Sequence, residues 1–163
     1  MKHKAYLLLG SNMGDRAVHI EKANGKLHAL GEMTAKSGVY KTEPWKMDAS
    51  QWFFNQVVEL ETDYLPQDLL EQILEIEESL GRVRSADAGE GYTSRTIDID
   101  ILYFDDEVIN NATLTIPHPR IQERRFALAP MVELNASYVH PILHQTQFEL
   151  LKTCPDQSFL ELA

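Results

Sequence analysis

The chain has 163 residues, 44% of them hydrophobic, enough for one compact domain with its own core and no need of disulfides or a structural metal. Its formal net charge of -10 disfavours broad attraction to nucleic acid or anionic lipid, so any phosphate site must be built locally. The only cysteine, Cys154, can form no internal disulfide, and no apolar run approaches the roughly 20 residues of a membrane span, so a reducing, cytoplasmic setting is expected.

Lys4 to Leu9 reads as a buried strand, followed by a turn, Gly10-Ser11-Asn12-Met13-Gly14, that hands the chain to a helix capped by Asp15. Ile20, Ala23, Leu27 and Leu30 recur at helical spacing as far as Gly31, giving one apolar stripe to lay on a sheet. Val39 to Thr42 reads as the end of a strand and Trp52 to Glu61 as another. The connection between them, Glu43 to Gln51 with Pro44, is too long for a tight hairpin. A second helix is predicted over residues 66 to 80, from Pro66 near its start, the stripe Leu69, Ile73, Ile76 and Leu80, and Gly81 at its end. Thr96 to Phe104, rich in β-branched and aromatic residues, reads as a strand. The order βαββαβ predicts an α+β, ferredoxin-like core, a mainly antiparallel sheet with helices packed on one face. No repeat, linker or low-complexity segment divides the sequence, so residues 1–163 are expected to form a single domain.

Side chains alternate across a strand, so Asp98 and Asp100 project from one face and Ile97, Ile99 and Ile101 from the other. Neighbouring carboxylates repel unless a cation sits between them, and oxygen-only ligands suit Mg2+. A solvated edge-strand face is the plain alternative for an isolated D-x-D. Arginine placement favours the metal. Six of the seven arginines (Arg82, Arg84, Arg95, Arg120, Arg124 and Arg125) flank the aspartates, and no lysine occurs between Lys46 and Lys152. Guanidinium forks bind phosphate oxygens bidentately, so this cluster beside a carboxylate-bound cation suits a polyphosphate, although ordinary ion pairing would account for any single arginine.

His118 lies in Ile116-Pro117-His118-Pro119, where two prolines restrict the backbone that aims its imidazole. Phe53 and Asn55 share a strand face, pairing a flat apolar surface with an amide able to read a heterocycle's edge. No G-x-x-x-x-G-K-[ST] occurs, and the Gly10 to Gly14 turn lacks both the length and the lysine of a Walker loop, so a nucleotide would be held by side chains.

Six segments, in order and spacing, resemble the 6-hydroxymethyl-7,8-dihydropterin pyrophosphokinases of folate biosynthesis, over the span from Leu9 to about Pro141. They are Leu9-Gly10-Ser11-Asn12; Tyr40 and Thr42 before Pro44; Phe54-Asn55; Glu77 with Gly81-Arg82-Val83-Arg84; Arg95-Thr96-Ile97-Asp98-Ile99-Asp100-Ile101; and Leu114-Thr115-Ile116-Pro117-His118 with Arg124 and Phe126. The resemblance implies transfer of diphosphate from ATP to the hydroxymethyl group of 6-hydroxymethyl-7,8-dihydropterin, releasing AMP. It implies that Asp98 and Asp100 bind two Mg2+ ions, and that Glu77, Arg84, Arg95, Ile101, Thr115, His118 and Arg124 line the ATP site. Arg82 and Arg95 would act from a loop that closes over the nucleotide. The pterin would lie between the rings of Phe53 and Phe126, its edge read by Asn55 and by backbone groups near Thr42, Glu43 and Trp45. Tyr92 stands where a tryptophan of that loop is expected. Loop 83 to 94 and segment 43 to 51 are expected to be mobile without ligand. The expected partners are these two small molecules, with no nucleic acid and no membrane, and the chain is expected to act as a monomer.

Other classes stay open on the residues alone. A D-x-D nucleotidyl- or glycosyltransferase would use the same metal logic but release pyrophosphate or a nucleoside diphosphate. A non-catalytic ferredoxin-like binding module would leave the aspartates merely solvated. An RNA-binding module on the same topology would need a basic, aromatic sheet face, which the acidic balance opposes.

Overall fold

The computed structural model describes residues 2–43, 52–81 and 96–163. The expectations for Trp45, Arg82, Arg84, Tyr92 and Arg95, for loop 83–94 and for most of segment 43–51 lie outside the described residues.

The sheet is organised around its first strand, β1 (His3–Ser11), which pairs antiparallel with β4 (Phe53–Thr62) on one side and β5 (Asp98–Phe104) on the other. A strand with neighbours on both edges and cover on both faces reads as a continuous apolar run, as Ala5-Tyr6-Leu7-Leu8-Leu9 does, and all five are buried. The two ladders carry β1 beyond its predicted end: Gly10 opposes Asn55 on one side and Asp98 on the other, and Ser11 opposes Phe54. Gly10 and Ser11 therefore belong to the strand, not to the turn.

Gly14, at φ 63°, makes the turn into α1 (Arg16–Leu27), whose first N–H groups are capped by the Asp15 carboxylate accepting from Val18 N. Ile20, Ala23 and Leu27 are buried, and Leu30 joins them from the turn beyond the helix end. The strand expected to end at Thr42 comes in two pieces, β2 (Glu32–Lys36) and β3 (Tyr40–Thr42), paired with opposite ends of β4. The break falls at Ser37, whose buried hydroxyl accepts from Val57 N, so a side chain replaces a backbone acceptor there. After α2 (Pro66–Ser79), with Leu69, Ile73 and Ile76 buried and Gly81 at φ 109° just past its end, the chain enters β5. The strand order is β5-β1-β4-β3, with β2 also on β4. Taking β2 and β3 as one broken strand, this is the ferredoxin-like order, with α1 and α2 on one face over Leu7, Leu9, Val58, Leu60, Ile99 and Ile101.

No element beyond Phe104 stands out in the sequence, yet that part covers the second face. There α3 (Arg125–Asn135) and α4 (Gln147–Lys152) pack Ala127, Leu128, Met131 and Leu150 on Tyr6, Leu8, Val57, Leu102 and Tyr103. Pro130 inside α3 withdraws the N–H that would bond the Phe126 carbonyl, and α4 is only six residues long, so neither shows a clean helical signature. A small ribbon of β6 (Ile109–Asn110) and β7 (Thr115–Ile116) precedes the cis Ile116–Pro117 peptide, and β8 (Leu160–Leu162) pairs outside β3. Among the described residues no helix is long and apolar enough to cross a membrane.

The β1–β5 ladder steps from Leu7 opposite Ile101 to Tyr6 opposite Tyr103, which makes Leu102 an extra, bulged residue. Leu102 and Tyr103 consequently both face α3, while Asp98 and Asp100, ahead of the bulge, keep the parity expected from alternation.

A Cβ on Gly31 would run into the Glu61 carbonyl oxygen, a backbone atom of β4 that cannot swing aside. Gly31→Ala is expected to cost about 2 kcal/mol or more, read as a lower urea midpoint at an unchanged m-value. An unaltered midpoint would show that the α1–β2 connection yields freely.

Candidate active site

The α3 face of the sheet carries a short polar row fixed by register. Asn55, Gly10 and Asp98 lie side by side on β4, β1 and β5, and Leu8 opposes Asp100 further along. Thr42 and Glu43 at the end of β3 form one wall, and Arg124 and Phe126 at the start of α3 form another. With Phe53 they enclose a cavity of about 210 Å³, in which Leu8, Gly10, Asn55, Asp98 and Asp100 complete the lining.

Gly10 makes this floor possible, because a Cβ there would stand 2.9 Å from Asn55 Oδ1. The Asn55 side chain, only 4% exposed, donates from Nδ2 to the buried Thr42 hydroxyl at 2.8 Å, which fixes the direction of the amide.

Asp98 and Asp100 are half-buried on this face, and Arg124 interacts electrostatically with both. Burial depresses the Arg124 pKa, and the Asp100 carboxylate opposes that effect; a guanidinium remains charged at neutral pH. Its Cζ lies 5.6 Å from the centre of the Phe126 ring, and its buried Nε has no hydrogen-bond partner among the described residues. A buried cationic donor without an acceptor is costly unless an anion meets it. Among the described residues no three or more His, Cys, Asp or Glu converge, so the aspartates offer a two-carboxylate oxygen set. That set fits Mg2+, which keeps several waters and completes its shell with substrate phosphates.

His118 joins the arginine side. Its N–H donates to the Leu102 carbonyl at 3.0 Å, which ties it to the bulge of β5, and its Nδ1 accepts from Arg120 N at 3.2 Å. Burial, and then the charges of Arg124 and Arg120, push its pKa down to about 4, so the imidazole is neutral at pH 7.

Glu77 and Ile101, expected at the nucleotide site, lie on the opposite face of β5. Ile101 is buried in the aliphatic core, and Glu77, 2% exposed on α2, accepts the Ile99 N–H on Oε2 at 2.8 Å. β5 is the edge of the sheet, so this carboxylate holds the backbone of the residue between the two aspartates. Thr115 is exposed in β7 and does not line the cavity. Of the expected site residues, Thr42, Glu43, Phe53, Asn55, Asp98, Asp100, Arg124 and Phe126 come together.

The sequence does not single out Leu8 as part of the lining, nor Gly10 as its floor, because both roles depend on pairing across strands. It also passes over Arg16, whose guanidinium lies 4.2 Å from the centre of the Phe54 ring and donates to the Trp52 carbonyl, pinning the start of β4. Arg16 is the one arginine remote in sequence from the aspartates.

The sequence model of the 7,8-dihydro-6-hydroxymethylpterin-pyrophosphokinase (HPPK) family matches residues 6–136, a span that contains every residue of the cavity. The chain belongs to this family. It is 40% identical over 137 residues to the 2-amino-4-hydroxy-6-hydroxymethyldihydropteridine pyrophosphokinase of Aquifex aeolicus, covering 84% of this chain and 83% of that one. It is 41% identical over 136 residues to the Bacillus subtilis protein of the same name, covering 82% and 79%. The folic acid synthesis protein fol1 of Schizosaccharomyces pombe is 37% identical over 155 residues, 94% of this chain but 21% of that one. Among solved structures, an HPPK-DHPS in complex with substrates superposes with a TM-score of 0.76 at 15% identity, over 93% of this chain and 43% of that one. Plasmodium falciparum wild-type HPPK-DHPS with pteroate gives 0.75 at 18% identity, over 93% and 44%. At these identities the likeness is one of HPPK fold, and the chain spans less than half of either fused protein.

Nuclear magnetic resonance should find His118 titrating near about 4. Arg124→Ala should raise that value by removing a cation that disfavours the imidazolium. The folded value lies below the ordinary one of about 6.5, so the stability contributed is complete above that pH and is lost as pH falls toward 4. A titration unchanged in Arg124→Ala would detach His118 from the arginine cluster.

Proposed function

We propose that the chain transfers diphosphate from ATP to the hydroxymethyl oxygen of 6-hydroxymethyl-7,8-dihydropterin, releasing AMP, in folate biosynthesis. The pyrophosphokinase names of its bacterial relatives support this activity. The observation that carries it is one cavity with two chemically distinct ends. Phe53, Asn55, Thr42 and Phe126 form a flat, apolar slot with an oriented amide, while Asp98, Asp100 and Arg124 form a charged end suited to phosphate and metal.

Stacking between aromatic rings with edge hydrogen bonds is the general means of recognising a flat heterocycle. Phe53 and Phe126 would sandwich the pterin, and Asn55, with backbone groups near Thr42, Glu43 and Trp45, would read its edge. This orients the hydroxymethyl oxygen toward the aspartates for in-line attack on the β-phosphorus. Asp98 and Asp100 would hold two Mg2+ ions. Magnesium bound there with the triphosphate would neutralise charge on the phosphate oxygens and polarise the attacking hydroxyl.

The remaining work falls to the protein's own groups. The guanidinium of Arg124 meets charge on the phosphate oxygens, and its otherwise unmet Nε donor gains an acceptor. His118, neutral, can hydrogen-bond the nucleotide without repelling Arg124. Arg82, Arg84 and Arg95 are proposed to add positive charge from their segment, with Tyr92 covering the site. Glu77 acts through the Ile99 backbone, keeping the aspartates in register. Ile101 would support the nucleotide side only from the core behind β5, and Thr115, exposed on β7 outside the cavity, would meet the nucleotide only beyond its rim. The chain is proposed to work as one catalytic domain over residues 1–163, monomeric and cytoplasmic, with these small molecules as its partners.

Chromatography of the nucleotide product should give AMP; free pyrophosphate would instead indicate nucleotidyl transfer, and ADP the transfer of a single phosphoryl group. Asp98→Asn should lower kcat/KM by about 100-fold, an effect of about 3 kcal/mol in the transition state. If Asp98→Asn retained full activity, the aspartates would be solvated side chains of a different kind of site.

Gly10→Ala should displace the Asn55 amide and weaken 6-hydroxymethylpterin binding by about tenfold in calorimetry. Binding of a non-hydrolysable ATP analogue with Mg2+ should change less than about twofold. Equal loss of both ligands would mean that Gly10 acts on the whole sheet instead.

A further inference from the structure

The family match ends at residue 136, but the last eight residues of the chain lie against the wall of the cavity. Asp156 accepts from Arg125 N at 3.1 Å, and the Arg125 guanidinium donates to the Ser158 carbonyl at 2.8 Å. The Phe159 carbonyl accepts from Glu43 N at 3.4 Å, and the Phe159 ring meets Trp52 edge-on, with ring centres 5.8 Å apart. Leu160, Glu161 and Leu162 then pair with Thr42, Lys41 and Tyr40, and Ala163 N donates to the Val39 carbonyl at 2.8 Å. Leu162 packs over Gly38, where a Cβ would come within 2.7 Å of its Cδ2. The gap left between this strap and Thr42, Glu43, Arg125 and Phe126 is about 10 Å³, at most one water.

These contacts join two elements that bear opposite walls of the cavity. Arg125 sits between Arg124 and Phe126 at the start of α3, and Thr42 and Glu43 end β3. The same two elements are also joined further along, where Glu133 accepts from the Tyr40 hydroxyl at 2.6 Å and from Gly38 N at 3.0 Å. That attachment lies about two turns of α3 away from Phe126. The Glu133 attachment and the buried Ala127, Leu128 and Met131 hold α3 on the sheet, and the strap adds the contacts nearest the cavity end, where it adjusts the gap between the walls.

We propose that the C-terminal strap, Asp156–Ala163, sets the separation of the two walls of the cavity, with Arg125 and Phe159 as positioning residues for the dihydropterin. Dispersion contacts across a stacked ring fall off steeply: widening a contact by about 0.5–1 Å forfeits a quarter to a half of its attraction. Loosening the strap therefore weakens the heterocycle most. The aspartates, fixed on β5 by the β1 ladder and by Glu77, keep their place.

The inference rests on the reading that the cavity takes a dihydropterin, and the wild-type chain tests that separately. Wild type should bind 6-hydroxymethylpterin in calorimetry with a non-hydrolysable ATP analogue and Mg2+; absence of binding would sink that reading and the present one with it. In the full-length chain, Phe159→Ala and Arg125→Met should each raise the pterin KM by about fivefold or more, with kcat and the ATP KM within about twofold and Phe159→Tyr close to wild type. If Phe159→Ala does not fold, Phe159→Leu, which keeps bulk but removes the ring edge against Trp52, carries the same comparison. Variants that match a pterin-binding wild type, or that lose both substrates in proportion to their fall in Tm, would overturn the positioning role alone.

Discussion

The double pairing of Gly10, with Asn55 on one side and Asp98 on the other, is the constraint on which the site depends. A strand shifted by one residue exchanges its faces, so a slip of β1 would offer the aliphatic core the side chains meant for α3. Ala5, Leu7 and Leu9 feed one core, while Tyr6 and Leu8 feed the other. Each fully buried large apolar side chain is worth roughly 1.5–3 kcal/mol, so a slip forfeits several such terms together. Residues remote from the cavity thus enforce the alignment of an amide, a bare backbone and a carboxylate across three strands.

The two faces of the sheet divide their duties. On the α1 and α2 side nearly everything described is aliphatic, and the buried carboxylate of Glu77 secures the backbone of the edge strand. The α3 side holds both the cavity and an aromatic cluster of Tyr6, Tyr103 and Tyr138, whose hydroxyls bond to Glu59, Gln147 and the Asp105 carbonyl. Burial pushes the Tyr6 pKa up to about 12, and its hydroxyl donates to Glu59 at 2.7 Å. In a chain of net charge -10, Arg124 and Arg120 both bring positive charge to His118. Burial first, and then those two cations, keep that histidine neutral.

Features set by short-range periodicity were legible in the sequence. Alternation placed Asp98 with Asp100 and Phe53 with Asn55, and the helix at 66 to 80 followed from Pro66, its stripe and Gly81. Alternation could not say that the two pairs share the same side of the sheet, since that depends on how three strands align. Ser37 interrupts a strand by a side-chain hydrogen bond with no pattern of its own. The segment around Pro130 conceals a helix because proline weakens its signature, and the short α4 offers too few turns to show a stripe. Glu77 and Ile101 entered the expected site by resemblance alone, and the fold gives them supporting places behind it. Arg125 stood out only as one of a charge cluster, whereas its observed partners lie over 30 residues further along the chain.

The extra residue at Leu102 divides β5 into two stretches of opposite phase. Ahead of it, side chains are keyed to Gly10 and serve the cavity; behind it, they are keyed to Tyr6 and serve the aromatic cluster. An ungapped comparison of this strand with a relative lacking the bulge would match outward residues to inward ones at Tyr103 and Phe104. For anyone redesigning the protein, the same discontinuity is an opportunity: the reactive stretch and the packing stretch of one ribbon can be altered independently.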